Sequence, residues 1–375
     1  MSKKIWLTLI VVFVILVIGV LISNNSTKAP NSLTFGATFP LTGEVASYGQ
    51  KAKRGIEIAI EEINATGGLL GKQVDVDFQD DKNDKKEAVS IINKFASIDK
   101  YPVVFGSAGS GVSLAICPIT QKNKVIQISS ISSSALLSVQ GGDYFFRTVP
   151  ADDQQAEILA EYVIESGLKK IALVYTNNSW GKPLAEGFKE KFVSSGGEVL
   201  VEEGVQENSN DFRTILSKIK QMDGLEAIVS PTYPKEGGVL VRQAKELGLN
   251  TKLFGGDNWG SPEFREISGS SAEGVVYTAP AQRTSAAYDD FANKYEQKYG
   301  EAPDVFGAYS YDAFMAIAKA IQKAQSIESE KIRQALLNLT FEGVSGQIKF
   351  KENGDLDSEA YAVMTIKDGK AVSAK

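Results

Sequence analysis

The sequence predicts an α/β protein of two lobes, each a parallel β-sheet flanked by helices, with a membrane helix at the N-terminus. The chain has 375 residues, more than one ordinary domain holds. From Leu33 onward, short apolar runs alternate with amphipathic segments, and the alternation starts again after Asp152. An apolar run interrupted only by Thr8 and Gly19 precedes both halves, at residues 5–22. Strands and helices that alternate with short turns are typical of parallel sheets covered on both faces.

The first half of the pattern contains four runs of strand length and three segments of helix length. Strands are predicted at residues 33–38, 73–78, 103–105 and 125–128, and helices at 50–64, 84–98 and 110–122. In the first helix, the apolar positions form a broad buried face: Ile56, Ile58, Ala59, Ile60 and Ile63. Glycines at 67, 68 and 71 then end this helix and turn the chain.

The second half repeats the architecture without repeating the sequence. Helices are predicted at 152–166, 181–194, 211–221 and 235–247, and strands at 170–175, 198–203, 227–230 and 252–255. The remainder has helices at 285–299, 306–324 and 329–338 and late strands at 346–350 and 361–367. We assign residues 33–150 and 281–355 to lobe 1 and residues 151–280 and 356–375 to lobe 2, with crossovers near 150, 280 and 355.

Residues 1–32 are interpreted as a signal-anchor and a tether. Lys3 and Lys4 precede the apolar run at 5–22, and its 18 residues would span roughly 27 Å as a helix, close to the hydrocarbon thickness of a bilayer. Residues 23–32 (SNNSTKAPNS) contain no A-x-A cleavage site and no cysteine for a lipid. An uncleaved anchor is therefore favoured, and a cleaved signal peptide is the alternative. Both interpretations place the rest of the chain outside the cytoplasm.

The composition argues against an enzyme. The chain contains no histidine, which removes the commonest general base and the commonest metal ligand. Cys117 is the only cysteine, so neither an intrachain disulfide nor a thiolate zinc cluster can form. With 40 basic and 46 acidic residues, the net charge of −6 disfavours a nucleic-acid partner. We therefore predict a binding protein without catalytic residues, metal or cofactor.

Two segments are candidates for a ligand site because each leaves a predicted strand and is rich in glycine or serine. They are residues 105–113 (FGSAGSGVS) and 128–134 (ISSISSS). Ligands of open parallel sheets bind beyond the carboxyl ends of the strands, where helix N-termini suit a carboxylate. Serine is also the favoured helix N-cap, so spacing alone favours capping for Ser110 and Ser133. Asp257 follows two glycines, and this local pattern alone predicts a turn residue.

A series of motifs along the chain resembles those of a known protein family. They are PLTGEVASYG at 40–49, AIEEINATGGLLG at 59–71, FQDD at 78–81, residues 105–118 and 127–134, WG at 180–181, PTYPKEGGVLVRQAKELG at 231–248, FGGDNW at 254–259, AEGV at 272–275 and FGAYSYD at 306–312. Their order resembles the branched-chain amino-acid (Leu/Ile/Val) binding proteins of ABC transporters, a group of the type 1 periplasmic-binding proteins. The resemblance extends from residue 33 to the C-terminus.

The resemblance implies a Venus-flytrap fold whose two lobes close on an α-amino acid. The family positions that bind the ligand carboxylate fall on Ser110 and Ser133, and the backbone of Ile131 is an implied acceptor for the ammonium group. The family's acidic partner of the ammonium falls on Asp257 in lobe 2. The aromatic positions that line the family's site correspond to Tyr48, Trp180, Tyr233 and Phe306.

The sequence departs from the family pattern at three places in this site. The serine-rich loop at 129–135 lacks the family's prolines, Asp257 stands for a longer glutamate, and Trp180 stands for a tyrosine. Recognition of an α-amino acid is implied despite these changes. The resemblance does not imply a preference for one particular ligand side chain.

The implied function is that of an extracytoplasmic solute-binding protein of an ABC importer. It would capture a small amino acid, with a branched-chain one favoured, and deliver it to a membrane permease. We expect a monomer. The alternative is a ligand-sensing ectodomain that acts with a separate signalling partner, and the family also contains binders of amides, urea and aromatic acids.

Overall fold

The computed structural model describes residues 32–281, 285–358 and 361–374. The predicted membrane helix and nearly all of the tether lie outside these residues. Within the described ranges, none of the helices combines the length and the apolar character needed to cross a bilayer.

The first sheet contains five parallel strands in the order β2-β1-β3-β4-β5. These strands are β1 (Ser32–Phe39), β2 (Gln73–Asp80), β3 (Val103–Gly106), β4 (Ile126–Ser129) and β5 (Phe145–Arg147). Strands β3 and β4 are buried along their whole length. They are short and apolar, as expected for strands covered on both faces.

The second sheet contains seven strands in the order β14-β13-β10-β9-β8-β6-β7. The strands are β6 (Lys170–Thr176), β7 (Glu198–Val205), β8 (Ala227–Ser230), β9 (Lys252–Gly255), β10 (Val276–Pro280), β13 (Tyr361–Lys367) and β14 (Lys370–Ser373). A separate hairpin pairs β11 (Thr340–Glu342) with β12 (Gln347–Lys349).

The prediction of a wholly parallel second sheet is wrong at one edge. Strand β13 runs antiparallel to β10 and to β14. The turn between β13 and β14 consists of Asp368 and Gly369, both with positive φ (51° and 70°), the conformation of a tight hairpin turn. A strand joined by such a turn reverses direction, whereas a parallel neighbour would need a long crossover.

Twelve α-helices connect and cover the sheets of the described residues. They are α1 (Ala46–Ala65), α2 (Lys85–Lys94), α3 (Ser110–Asn123), α4 (Leu136–Gln140), α5 (Asp152–Glu165), α6 (Gly181–Ser194), α7 (Arg213–Lys220), α8 (Pro234–Glu246), α9 (Pro262–Ser268), α10 (Ala286–Tyr299), α11 (Val305–Ala324) and α12 (Ser329–Leu337). A π-helical turn (Phe95–Asp99) continues α2, and two 3₁₀ turns (Asp257–Gly260 and Gly269–Ala272) flank α9. The sequence pattern missed only short elements: α4, α9, β5, β10, β11 and β14.

Helix α11 returns from the late part of the chain to cover the first sheet. Its residues Phe314 and Ile317 are fully buried, and Phe314 stacks on Phe105 of β3 at 5.6 Å. Burial of such a side chain stabilises the fold by about 1.5–3 kcal/mol. Helices α11 and α1 approach so closely that a Cβ atom at Gly55 would lie 2.1 Å from the carbonyl oxygen of Gly307.

The buried residues form separate cores on the two sheets. The core of the first sheet extends from Leu33 to Leu356 and includes α10, α11 and α12. The cores of the second sheet draw on residues 156–277 and on Ile366 of β13. The division of buried residues between these cores supports the lobe boundaries near 150, 280 and 355. The boundaries stay a proposal.

Candidate functional site

A cavity of about 450 Å³, partly open to solvent, lies between the two sheets beyond the carboxyl ends of their strands. All eight residues proposed from the sequence line it: Tyr48, Ser110, Ile131, Ser133, Trp180, Tyr233, Asp257 and Phe306. It is also lined by Val45, Asn83, Ala108, Gly109 and Asn258. Their roles as ligand contacts remain a prediction.

Helix α3 directs its N-terminus toward the cavity. Gly109 is the N-cap and offers no side-chain cap, so Ser110 is the first helical residue and not the capping residue. The Ser110 hydroxyl accepts a hydrogen bond from the N–H of Ser134 at 3.3 Å. Among the described residues, the N–H groups of Ser110 and Gly111 have no acceptor. Unpaired N–H groups at a helix start attract an anion.

The serine-rich loop after β4 is held in place mainly by its own hydroxyl groups. Ser129 and Ser132 each donate to the carbonyl oxygen of Ser107 at 2.9 Å. Ser130 pairs with Ser310 of α11 at 2.6 Å. Ser133 lines the cavity, whereas these three hydroxyls are used for structure. Side-chain hydrogen bonds thus fix a loop that lacks the family's prolines.

Arg147 stabilises the same loop through hydrogen bonds, and it was not predicted from the sequence. Its guanidinium is fully buried and donates to the carbonyl oxygens of Ser133 at 2.8 Å and Ser134 at 2.9 Å. It also forms an ion pair with Asp355 at 2.7 Å. The sequence signal for a buried structural arginine was a single charged residue at the end of the apolar strand β5.

Asp257 follows β9 and presents a carboxylate on the opposite side of the cavity. Its Oδ1 atom is buried and has no hydrogen-bond partner among the described residues, and its N–H donates to Oε1 of Gln155 at 3.0 Å. Burial raises the pKa of this carboxyl to about 6. The backbone reaches this position because Gly255 lies against Trp259, where a Cβ atom would come within 2.0 Å of the indole ring.

A second buried carboxyl, Asp152, was missed because it was interpreted only as the start of a helix. It is the first residue of α5, and its Oδ1 atom accepts from Nε2 of Gln155 at 2.8 Å. Its Oδ2 atom has no partner in the described part of the chain. Burial and the nearby charge of Asp257 raise the pKa of Asp152 well above its ordinary value.

Aromatic rings form the remaining walls. Trp180 stacks on Tyr233, with ring centres 5.1 Å apart and planes 9° apart, and Tyr48 contacts Phe306 edge to face at 5.2 Å. The hydroxyl of Tyr48 donates to Oδ1 of Asn258 at 2.7 Å. That of Tyr233 accepts from Nδ2 of Asn178 at 3.1 Å. With both hydroxyls engaged, these walls offer the cavity mainly apolar ring surface.

Asn83 is a further wall residue that sequence reasoning missed. Its Oδ1 atom is buried without a hydrogen-bond partner in the described ranges and lies close to Gly109, where a Cβ atom would meet it at 2.1 Å. Cys117, in contrast, is buried away from the cavity, and burial raises the pKa of its thiol to about 12. A buried thiol with a raised pKa is unreactive.

The two lobes contact each other across the cavity. Tyr48 on α1 and Asn258 after β9 connect the sides directly, and Lys235 on α8 forms an ion pair with Glu44 at 2.9 Å. The structure therefore represents a closed arrangement in which the helix starts of one side face Asp257 of the other.

Comparisons with known proteins match both the sequence and the fold. Residues 32–371 match the family model described as periplasmic binding protein. A Leu/Ile/Val-binding protein of Rhizobium johnstonii is 31% identical over 351 residues, which cover 92% of this chain and 94% of that protein.

Two solved structures share the fold along nearly the whole chain. The branched-chain amino acid transporter substrate binding protein of Streptococcus pneumoniae, in complex with isoleucine, is 31% identical, with a TM-score of 0.83 and coverage of 91% of this chain and 98% of that one. A leucine binding protein of Thermotoga maritima is 28% identical, with a TM-score of 0.85 and coverage of 92% and 98%. The predicted two-lobed α/β fold is confirmed by these matches.

Proposed function

Because this chain belongs to the periplasmic binding protein family, we propose that it is the substrate-binding protein of an ABC transporter and captures a branched-chain amino acid outside the cytoplasm. It is a binding protein and not an enzyme, as its family and relatives imply. The relatives from Rhizobium and Streptococcus are named for branched-chain amino acids, and the latter holds isoleucine.

The observation that carries the proposal is the unpaired carboxylate oxygen of Asp257. A buried carboxylate without a donor is costly, and a charge-assisted hydrogen bond from an ammonium group would satisfy it. The α-ammonium group of an amino acid supplies this donor. The carbonyl oxygen of Ile131 lines the same cavity and offers a second acceptor.

The opposite end of the ligand would lie at the start of α3. There the N–H groups of Ser110 and Gly111 and the hydroxyls of Ser110 and Ser133 form a neutral site for a carboxylate. No basic side chain lines the cavity among the described residues. The helix N-terminus therefore supplies the positive potential.

The ligand side chain would contact the aromatic walls. The rings of Tyr48, Phe306, Trp180 and Tyr233 favour an aliphatic group through burial of apolar surface. Because the Tyr48 hydroxyl already donates to Asn258 and the Tyr233 hydroxyl already accepts from Asn178, the rings offer a ligand side chain few polar groups. This supports leucine, isoleucine or valine.

Lobe closure would enclose the ligand, and the closed form would deliver it to a permease in the membrane. Two interlobe contacts support such a closed form: the Tyr48–Asn258 hydrogen bond and the Glu44–Lys235 ion pair. In this proposal, residues 1–32 hold the protein at the outer face of the membrane. Mass spectrometry of the mature N-terminus distinguishes a retained anchor from a cleaved signal peptide.

The test is isothermal titration calorimetry of the purified protein with the standard amino acids and two truncated ligands. We expect leucine, isoleucine and valine to bind. We also expect 4-methylpentanoate, which lacks the amine of leucine, and isopentylamine, which lacks its carboxylate, to bind at least about 100-fold more weakly. Each truncation leaves a buried polar partner unpaired.

Asp257→Asn is the matched protein variant because it preserves the shape of the side chain and removes its charge. It should weaken leucine binding by about 100-fold or more and leave the fold intact by circular dichroism. The proposed function is wrong if none of the three branched-chain amino acids gives heat. The ammonium role of Asp257 is wrong if Asp257→Asn binds leucine as tightly as the parent.

A further inference from the structure

Asp152 and Asp257 are connected through one glutamine side chain. The Nε2 atom of Gln155 donates to Oδ1 of Asp152 at 2.8 Å, and its Oε1 atom accepts from the N–H of Asp257 at 3.0 Å. The same Oε1 atom accepts from the hydroxyl of Thr278 at 2.9 Å. These four residues belong to elements that pack on the second sheet, so lobe opening need not separate them.

The two carboxyl groups have too few donors for two negative charges, because the Ser133 hydroxyl near Asp152 and the Asn258 backbone near Asp257 offset only part of the effect of burial. Oδ2 of Asp152 and Oδ1 of Asp257 are both buried without a hydrogen-bond partner in the described residues. The N-terminus of α5 favours one negative charge at Asp152. A second unpaired charge beside it would be opposed by repulsion and by loss of water.

Other titratable groups around the pair do not supply a free cation. Those that act on either carboxyl from neighbouring elements are Arg147 of β5, Asp153 of α5, Tyr361 of β13, Tyr233 before α8 and Tyr48 of α1. The guanidinium of Arg147 is already paired with Asp355. Burial raises the pKa of Tyr48, Tyr233 and Tyr361, so these hydroxyls stay neutral.

We propose that Asp152 and Asp257 hold one proton between them while the cavity is empty, and that the ammonium group of the ligand displaces this proton. The inference rests on the proposed function, because an amine must reach Asp257. In this step the O–H bond of one carboxyl breaks, the proton passes to solvent, and the carboxylate formed pairs with the ammonium group. Asp152 does not line the cavity and acts through Asp257 as a positioning residue.

This coupling makes ligand affinity depend on pH. Burial raises the pKa of Asp257 to about 6 and that of Asp152 well above its ordinary value, so the empty protein binds the proton at mildly acidic pH. Below the pKa of the pair, affinity should fall by up to about tenfold per pH unit because binding must expel the proton. Above it, affinity should be constant.

The first experiment is calorimetry of the purified protein with leucine at pH 5.5 and pH 8, in buffers that differ in ionisation enthalpy. The dependence of the observed heat on that enthalpy gives the number of protons released. We expect at least about half a proton at pH 5.5 and fewer at pH 8. No release at pH 5.5, with leucine bound, would overturn the proposal.

Asp152→Asn keeps the contact with Gln155 and removes one acid. It should reduce proton release at pH 5.5 and weaken the pH dependence of affinity between pH 5.5 and 7.5, because Asp257 remains buried but loses the neighbouring acid. Asp153→Asn is the matched control because this carboxylate is the next residue of the same helix and is exposed to solvent. It should behave like the parent. Proton release that is undiminished in Asp152→Asn contradicts the shared proton.

A second measurement needs no ligand and separates this inference from the proposed function. The side-chain carbons of ¹³C-aspartate are titrated by NMR in the empty protein. A signal that titrates near pH 6 or above and is altered by Asp152→Asn supports the pair. Asp312, whose pKa burial also raises to about 6, should be unaffected and serves as an internal reference.

The outcomes distinguish the two claims. If no aspartate other than Asp312 titrates above pH 5, the shared proton is wrong whether or not leucine binds. If the raised titration is present but leucine, isoleucine and valine give no heat, the pair holds its proton as proposed and the ligand assignment is wrong.

Discussion

Serine hydroxyls at the start of α3 and in the loop after β4 divide into two groups according to what they bind. Ser113 and Ser132 bind each other at 2.8 Å and also contact Ser107, so they hold the loops together. Ser110 and Ser133 line the cavity. The only side-chain hydrogen bond of Ser110 in the described structure is a long one, to the N–H of Ser134. A hydroxyl with one weak internal partner is available to a ligand.

Ser110→Ala should therefore weaken leucine binding by about 10-fold or more and change the free energy of unfolding by less than about 1 kcal/mol. Calorimetry and urea denaturation measure the two effects. Ser113→Ala, one turn further along α3, is the contrasting control. It should destabilise the fold more than Ser110→Ala because it removes a buried hydroxyl with several partners. Equal affinities of Ser110→Ala and the parent would contradict the carboxylate role.

Helix starts position most of the cavity residues. Trp180 and Tyr233 precede α6 and α8, and Phe306 lies in the first turn of α11. The start of α11 is fixed by Asp304, whose side chain accepts from the N–H of Gly307 and pairs with Lys51 at 2.9 Å. The Asp304 cap therefore helps to determine where Phe306 lies.

Asp304→Ala should lower the free energy of unfolding by about 1 kcal/mol and weaken leucine binding severalfold, because Phe306 loses its fixed position. Ser285→Ala removes a comparable cap, at the start of α10, where the hydroxyl accepts from Tyr288. It should cost a similar amount of stability without a change in affinity. If both variants reduce affinity equally, the start of α11 has no special role at the site. Thermal unfolding and calorimetry provide the comparison.

The whole molecule carries several buried acids whose pKa values are raised. Burial raises the pKa of both Asp257 and Asp312 to about 6. Asp312 accepts three hydrogen bonds from Val344 and Ser345, yet desolvation still dominates. The folded state therefore binds more protons than the unfolded chain between about pH 4 and 6.

Stability of the ligand-free protein should consequently rise as the pH falls from 7 to 5. Each acid with a folded pKa near 6 contributes about 1 kcal/mol over this range. Carboxyls with lowered pKa values, such as Asp80 and Asp357, lose their contribution only in more acidic solution. Urea denaturation at pH 5, 6 and 7 measures the trend, and saturating leucine should reduce it. A stability that increases steadily from pH 5 to pH 7 would contradict the raised pKa values.

Local sequence patterns located most elements because each depends on near neighbours. Helix α6 and strands β8, β9 and β13 have the predicted bounds, since apolar periodicity and flanking turn residues mark them. The antiparallel edge of the second sheet was not predicted. Its signal was Asp368-Gly369, a hairpin turn between two short strands, and the partner strand β10 lies about 90 residues earlier.

The sequence by itself determined the α/β class, the absence of histidine chemistry and the helix starts at which a ligand can bind. Only the tertiary structure brought Ser110 and Asp257 to one cavity and exposed the partnership of Asp152 with Asp257. The physical reason is that burial and pairing of a charge depend on what the fold places around it. Asp152 and Asp153 are adjacent acids in the sequence, yet one is buried with a raised pKa and the other faces solvent.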